Sequence, residues 1–238
     1  MLGSIDTTAA AYGSYDPATN HVSYFAVLKI ETNPSYSDED QMYAAGYLEG
    51  ALTSNDSYAL WQNLLDSYKW PDNVPPACIA NFFAENDKYM RSMVATSDDN
   101  RPFWDYLGLV LNQLDGLSAG YNVTAQSDQP MTPFAFAVMS ALGDLGDVKH
   151  GFCNESRPDF DNMTQLEFEL YGAENGHCSS LIRVTGDLSQ MFMAHSTWGI
   201  YQTMNRIFKH CLTHRHESDA HLAHIAQTTF TPALAPIA

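Results

Sequence analysis

The stretch from Gly176 to Trp198 constrains the fold of this chain most, because its pattern predicts a β-hairpin. Two apolar-rich runs flank Gly186 and Asp187, and a Gly-Asp pair is typical of a two-residue II′ turn. With that turn, Cys178 pairs directly with His195, and their Cβ atoms would lie about 4.5–5.5 Å apart. A bulge or a longer turn would shift the register, so this pairing is a hypothesis.

The predicted pair of Cys178 and His195 is a candidate nucleophile site. The thiolate is the reactive form of a cysteine, and a nearby base or cation raises the thiolate fraction. Spacing alone leaves two ordinary alternatives open. An isolated cysteine is often a buried core residue, and a histidine at a strand end is often bonded to a backbone group.

Three ordered blocks in this region carry a family resemblance. They are His177-Cys178-Ser179-Ser180-Leu181-Ile182-Arg183, then Ala194-His195-Ser196-Thr197-Trp198, then Tyr201-Gln202-Thr203-Met204-Asn205-Arg206-Ile207-Phe208-Lys209. Shorter blocks of the same kind precede them, at residues 44–50, 113–117 and 141–147. Together, in order along most of the chain, they resemble the phospholipase B-like proteins.

Those proteins are N-terminal-nucleophile (Ntn) hydrolases of lysosomes and secretions, and their precursor cuts itself just before the cysteine. The resemblance implies that Cys178 becomes the nucleophile and that His195 and Trp198 line its pocket. An internal amide nitrogen cannot accept a proton, whereas a freed α-amine with a pKa of about 7.7–8.0 can act as base for its own thiol. The thiolate would then attack an ester or amide carbonyl, and water would hydrolyse the acyl-enzyme.

The resemblance implies a hydrolase that removes fatty acyl chains from phospholipids, with no cofactor and no metal. One alternative is an Ntn amidase that acts on N-acylated small molecules. Another is an inactive fragment, because the resemblance covers less than half of a family member. We therefore expect the rest of the catalytic chain, with its further strands and pocket residues, to be missing from these 238 residues.

The charge balance excludes some classes of partner. The net charge is −17, with only 11 Lys and Arg residues, and binding to nucleic acid depends on cationic contacts with phosphates. We therefore expect no nucleic-acid partner. No apolar run reaches about 18 residues, so we also expect no transmembrane segment.

Four sequons favour a secretory route, and the resemblance implies a lysosomal or secreted glycoprotein. The sequon acceptors are Asn55, Asn122, Asn154 and Asn162. The first residues show no basic start followed by an apolar core, so we expect a secretory leader to be missing here. Among the four cysteines, a bridge between Cys78 and Cys153 is one pairing that the sequence leaves open.

We expect an α+β chain with a partial Ntn αββα fold, in which a helical layer precedes the hairpin. Residues 1–175 would supply a strand and the helical layer, and residues 176–209 would begin the nucleophile-bearing core. Residues 210–238 would form a disordered tail outside the family pattern. This tail is rich in histidine, but its spacing matches no metal-binding pattern, so we predict no metal site there.

Local patterns predict several elements. An apolar run over 22–32 predicts a strand, and Ser37 is the expected N-cap of the next helix. Alternation of Leu166, Phe168 and Leu170 with glutamates favours a short strand, while residues 198–209 read as a helix. Gly46 and Gly50, one turn apart, would allow another backbone to approach closely.

Overall fold

A computed structural model describes residues 5–18, 22, 24–153, 158–175, 178–197, 201–214 and 224–227. The strands are β1 (Ala11–Asp16), β2 (Ala26–Thr32), β3 (Cys178–Val184), β4 (Met191–Thr197), β5 (Ile207–His214) and β6 (His224–Gln227). The helices are α1 (Asp38–Leu52), α2 (Ser54–Tyr68), α3 (Ala77–Thr96), α4 (Arg101–Thr124), α5 (Pro133–Ser140), α6 (Leu145–Phe152) and α7 (Gln165–Asn175). This mixture of helices and strands confirms the α+β class.

The strands form two separate sheets in the described residues. One has the order β1-β2-β5-β6, in which β2 and β5 run parallel and the other neighbours run antiparallel. The other is the hairpin of β3 and β4. The Ntn-specific stacking of two large sheets between helical layers stays a prediction.

Helix α1 packs on the inner face of the four-stranded sheet. Alternate residues of β2 are buried, and Leu28 and Ile30 share a core cluster with Ala45 of α1. The helix begins where expected, because the Ser37 side chain accepts a hydrogen bond from the Asp40 backbone N–H at 3.1 Å. This cap satisfies one of the free N–H groups at the helix start.

Helix α1 also touches α4 backbone to backbone. A Cβ added at Gly46 would collide with the carbonyl oxygen of Gln113, and one at Gly50 with that of Leu117. The approach is reciprocal, because Gly116 and Gly120 of α4 face the carbonyl oxygens of Tyr43 and Tyr47. The expected close approach at Gly46 and Gly50 is therefore confirmed.

Helices α2 to α6 share a second core, and a disulfide supports it. Its fully buried members include Leu64, Leu117, Tyr121, Phe136, Val138 and Leu145. A bond between Cys78 in α3 and Cys153 after α6 joins residues 75 apart in sequence, with Cα atoms separated by 5.5 Å. The pairing that the sequence left open is thus present.

The strand expected at Leu166, Phe168 and Leu170 is wrong, because these residues lie in α7. A capping box starts this helix. The Glu167 carboxylate accepts hydrogen bonds from the Thr164 N–H and hydroxyl, and the Glu167 N–H donates to the Thr164 oxygen at 3.3 Å. This Thr-x-x-Glu arrangement is a local helix signal, and it outweighs the period-two pattern.

The helix expected over residues 198–209 is wrong for residues 201–209, and residues 198–200 lie outside the described residues. A short 3₁₀ turn, Tyr201–Thr203, is followed by strand β5, which alternates between buried and less buried residues. The parallel pairing of this segment with β2 favours the strand over the predicted helix. Residues 210–214, which were expected to open a disordered tail, form the second half of β5.

Candidate active site

The hairpin is present, but its turn is longer than the Gly-Asp pair predicted. A six-residue loop joins Val184 to Met191, closed by a hydrogen bond from the Thr185 N–H to the Gln190 carbonyl at 3.0 Å. Leu188 takes the left-handed conformation, with φ at 59°. The prediction of a two-residue turn is therefore wrong.

Hydrogen bonds to the Asp187 side chain stabilise this loop. The Asp187 carboxylate accepts hydrogen bonds from the Ser189 hydroxyl at 2.9 Å and the Ser189 N–H at 3.3 Å. Bonds from Thr185 first, and then from Ser189, lower the pKa of Asp187 to about 2. A side chain that bonds to the backbone two residues on is an Asx turn, which explains why the chain forms a wider loop here.

The longer loop shifts the strand register by two residues. Cys178 lies opposite Thr197, and His195 lies opposite Ser180. The predicted direct pairing of Cys178 with His195 is therefore wrong. The two positions are diagonal neighbours on paired strands, a relation with a typical separation of about 7–8 Å.

The two-residue shift preserves which face each position occupies. Side chains alternate along a strand, so positions 178, 180, 195 and 197 belong to one face of the hairpin. A shift by one residue would have placed His195 on the opposite face. Positions 178 and 195 thus share a face, and positions 180 and 197 adjoin both of them.

The same face carries an apolar surface beside these positions. Ile182 and Val184 pair with Met193 and Met191, respectively. All four side chains are exposed, Met193 by 70% and Ile182 by 65%. The described part of this face is therefore open, and an apolar surface lies between the candidate positions and the loop.

The other cysteines are poor candidates for the nucleophile. Cys78 and Cys153 are joined in a disulfide. Cys211 is 7% exposed, and its burial raises the pKa of the thiol to about 12, which keeps it protonated. The nucleophile hypothesis therefore rests on Cys178.

Two of the predicted site residues fall outside the described residues. These are Trp198, expected to line the pocket, and Asn154, expected to carry a glycan. The other sequon acceptors, Asn55, Asn122 and Asn162, are exposed on the surface.

The described residues offer no metal centre. No three histidine, cysteine, aspartate or glutamate side chains among them are grouped so as to hold a metal ion. Within the same residues, no helix combines the length and the apolar character needed to cross a membrane.

Comparison with known proteins identifies the family. A family model described as Phospholipase B matches residues 11–235. This chain belongs to the phospholipase B family. The resemblance seen in the sequence blocks is thereby confirmed, and the match includes residues 210–235, which were expected to lie outside the family pattern.

Curated relatives carry the same family name. Phospholipase B-like protein B of Dictyostelium discoideum is 34% identical over 206 residues, covering 86% of this chain and 35% of that protein. Phospholipase B of Crotalus adamanteus is 33% identical over 212 residues, with coverages of 87% and 38%. Phospholipase B-like 1 of Rattus norvegicus is 32% identical over 212 residues, with coverages of 87% and 36%. The chain spans between a third and two fifths of the length of these phospholipase B relatives.

Sequence reasoning about this phospholipase B family chain missed Ser180. The observed register places Ser180 directly opposite His195, and both side chains are exposed. The signal that would have revealed this is the Asp187-Leu188-Ser189 segment, because an Asx turn there lengthens the loop.

Proposed function

We propose that this chain forms the nucleophile-bearing part of a phospholipase B-type hydrolase that releases fatty acyl chains from phospholipids. Cys178 would be the nucleophile, made N-terminal by cleavage of the bond between His177 and Cys178. Membership of the phospholipase B family supports the lipid-hydrolysing activity. The observation that carries the site is the hairpin register, which puts positions 178 and 195 on one face of paired strands.

The proposed reaction follows from the chemistry of an N-terminal cysteine. The freed α-amine takes the proton from the thiol, and the sulfur attacks the ester carbonyl carbon. The carbon–oxygen ester bond breaks, and the departing alcohol of the lysophospholipid takes the proton from the ammonium group. Water, deprotonated by the amine, then attacks the thioester, and the fatty acid leaves as the thiol is restored.

His195 and Ser180 would serve this reaction from the neighbouring strand. The imidazole of His195, at a diagonal position, would interact with the reacting acyl group, and Ser180 would orient that imidazole. Orientation of a histidine by a second group is a general requirement of such sites, because it fixes which nitrogen carries the proton. The exposed apolar side chains on the same face would contact the acyl chain.

We also propose that the protein works in a lysosome or outside the cell, as a glycoprotein. The disulfide between Cys78 and Cys153 supports an oxidising route, since such bonds are rare in the cytosol. Surface exposure of Asn55, Asn122 and Asn162 is what a glycan acceptor requires. To test this, the protein would be expressed in a secreting eukaryotic host, and its mass would be measured before and after treatment with a glycosidase.

The activity test compares the wild-type chain with Cys178→Ala and Cys211→Ser in the release of fatty acid from phosphatidylcholine. We expect Cys178→Ala to abolish release and Cys211→Ser to retain it, because the Cys211 thiol is buried and protonated. Equal and measurable release of fatty acid by Cys178→Ala and wild type would refute the proposal. Release from an N-acyl amino acid, but not from the phospholipid, would instead indicate an amidase.

A second pair of variants tests Ser180. Ser179 and Ser180 are adjacent, both exposed, and lie on opposite faces of the hairpin. We expect Ser180→Ala to lower kcat and change its pH profile, and Ser180→Thr to restore part of the rate. Ser179→Ala should leave kcat and its pH profile unchanged, since position 179 pairs with Ser196 and not with His195. Equal effects of the two alanine substitutions would exclude the positioning role.

A further inference from the structure

A cleft lies between α3 and the end of α6, beside the disulfide. Its volume is about 660 Å³, and it is open to solvent. The described residues that line it are Cys78, Asn81, Phe82, Glu85, Asn86 and Phe152. They supply two aromatic rings, two amides and one carboxylate, and no lysine or arginine is among them. The described lining therefore combines an aromatic wall with a single negative charge.

The disulfide builds the aromatic wall. Phe82 lies one helical turn after Cys78 in α3, and Phe152 directly precedes Cys153 at the end of α6. The bond between the two cysteines brings the two rings together, with centroids 4.5 Å apart and planes tilted by 45°. At this separation the rings contact each other, so a ligand would reach both of them from the side of the cleft.

The polar side chains of the cleft come from the same helix. Asn81 and Glu85 are one turn apart, and Glu85 lies three positions after Phe82, so these residues share a side of α3. Among the described residues, no hydrogen bond or salt bridge engages the Glu85 carboxylate. The Asn86 Nδ2 lies 3.9 Å from the Met90 sulfur, which leaves the amide oxygen as an acceptor.

We propose that this cleft binds a quaternary ammonium group of the choline type. An aromatic face attracts a cation within about 6 Å of the ring centre, and recognition of quaternary ammonium ligands is the main functional use of this attraction. The N-methyl groups would lie against the Phe82 and Phe152 rings, and the Glu85 carboxylate would balance the charge. An asparagine amide oxygen would accept a hydrogen bond from the choline hydroxyl.

The chemistry of the cleft favours a quaternary ammonium over a primary one. A primary ammonium carries three N–H donors, which need acceptors when water is removed. A trimethylammonium group has no N–H, so aromatic rings and one carboxylate are enough to hold it. The same group occurs in free choline and in the headgroup of phosphatidylcholine. The site does not use Cys178, so it is independent of the proposed hydrolysis.

Saturation-transfer NMR on the full 238-residue chain tests the proposal, with the N-methyl protons of choline as the signal. We expect a Kd in the millimolar range, because the ligand is small and the cleft is open. The neutral analogue 3,3-dimethylbutan-1-ol has the same shape but carries carbon in place of nitrogen. It should bind at least about fivefold more weakly, because attraction to the rings and the carboxylate requires the positive charge.

Two substitutions test the two kinds of contact. Phe152 is 57% exposed, so Phe152→Leu should leave the far-ultraviolet circular dichroism unchanged and weaken choline binding about threefold. Glu85→Gln should weaken it about threefold as well, and the double variant about tenfold. The matched controls are Phe103→Leu in α4 and Glu39→Gln in α1, since both side chains are exposed and lie away from the cleft. The controls should bind choline as wild type does.

Three results would overturn the proposal: no binding of choline, equal binding of the neutral analogue, or equal effects of the cleft and control substitutions. Dihexanoylphosphatidylcholine, kept below its micelle concentration, distinguishes the two sources of the group. Tighter binding than choline would support a lipid headgroup as the ligand, and weaker binding would support free choline. A wild-type chain that binds choline but releases no fatty acid would count against the proposed function and leave this site supported.

Discussion

Replacement of Gly50 by alanine tests the backbone contact between α1 and α4. The added Cβ would lie against the Leu117 carbonyl oxygen and 2.8 Å from the Tyr121 nitrogen. Both are backbone atoms, so no side-chain rotation can relieve the overlap. The two helices must move apart, which also loosens the contact at Gly46.

The expected change in the free energy of unfolding combines two opposing effects. Alanine is favoured over glycine in a helix interior by about 1 kcal/mol. Overpacking of a close-packed interior costs about 1–3 kcal/mol, and the upper end applies because the clash is with backbone. We therefore expect Gly50→Ala to lower the free energy of unfolding by about 2 kcal/mol net, from 3 lost and 1 gained.

Urea unfolding followed by far-ultraviolet circular dichroism measures this change, provided that the slope of the transition stays constant. Gly172→Ala in α7 is the control, because a Cβ there meets nothing within 4 Å. It should leave the stability unchanged or raise it by up to about 1 kcal/mol. A Gly50→Ala protein as stable as wild type would refute the close-packing explanation.

Three other predictions concern the cysteines and α7. The Cys78→Ser, Cys153→Ser double variant should lose about 4 kcal/mol in urea unfolding, since the bridge joins residues 75 apart; a loss under about 1 kcal/mol would contradict this chain-entropy reasoning. Native Cys211 should resist iodoacetamide at pH 8 and react in urea, because burial raises its pKa to about 12; labelling of the native thiol would disprove that burial. Hydrogen bonds from Thr164 lower the pKa of Glu167 below its ordinary value of 4.5, so the stability they give α7 is fully present above pH 4.5 and is lost as the pH falls through the lowered pKa. Amide protection across α7, taken relative to the intrinsic exchange rate at each pH, should fall between pH 5 and pH 3 in wild type but not in Glu167→Gln, and the same fall in both would exclude the capping box as its cause.

Structural features that depend only on neighbouring residues could be predicted from local patterns in the sequence. The Ser37 cap, the strand β2 and the close approach at Gly46 and Gly50 each follow from a few adjacent positions. The capping box of Thr164 and Glu167 was equally local, but the alternating apolar residues around it favoured a strand. Two local patterns competed there, and the hydrogen-bonded cap prevailed.

Strand β5 required information from far along the chain. Ile207, Phe208 and Lys209 fit a helix as well as a strand when read alone, and Lys209 is an unusual residue for a buried strand face. Its partner, Glu49, lies 160 positions away. Because pairing with β2 and burial against α1 decide the outcome, local pattern could not predict it.

In the hairpin, the predicted turn was wrong, but the predicted face of the strands was right. Asp187 lengthened the loop and moved His195 opposite Ser180, so the predicted contact with Cys178 was wrong. The face was nevertheless right, because the register moved by an even number of residues. The Asx-turn segment Asp187-Leu188-Ser189 is the local signal that would have supplied the exact pairing.

The central claim is that Cys178 begins its own polypeptide in the active protein. Intact mass spectrometry of purified wild-type chain tests it most directly, with Cys178→Ala as the uncut reference. The claim predicts fragments of 177 and 61 residues, the smaller beginning with Cys178. A single intact chain of 238 residues in wild-type protein that hydrolyses phospholipid would contradict it.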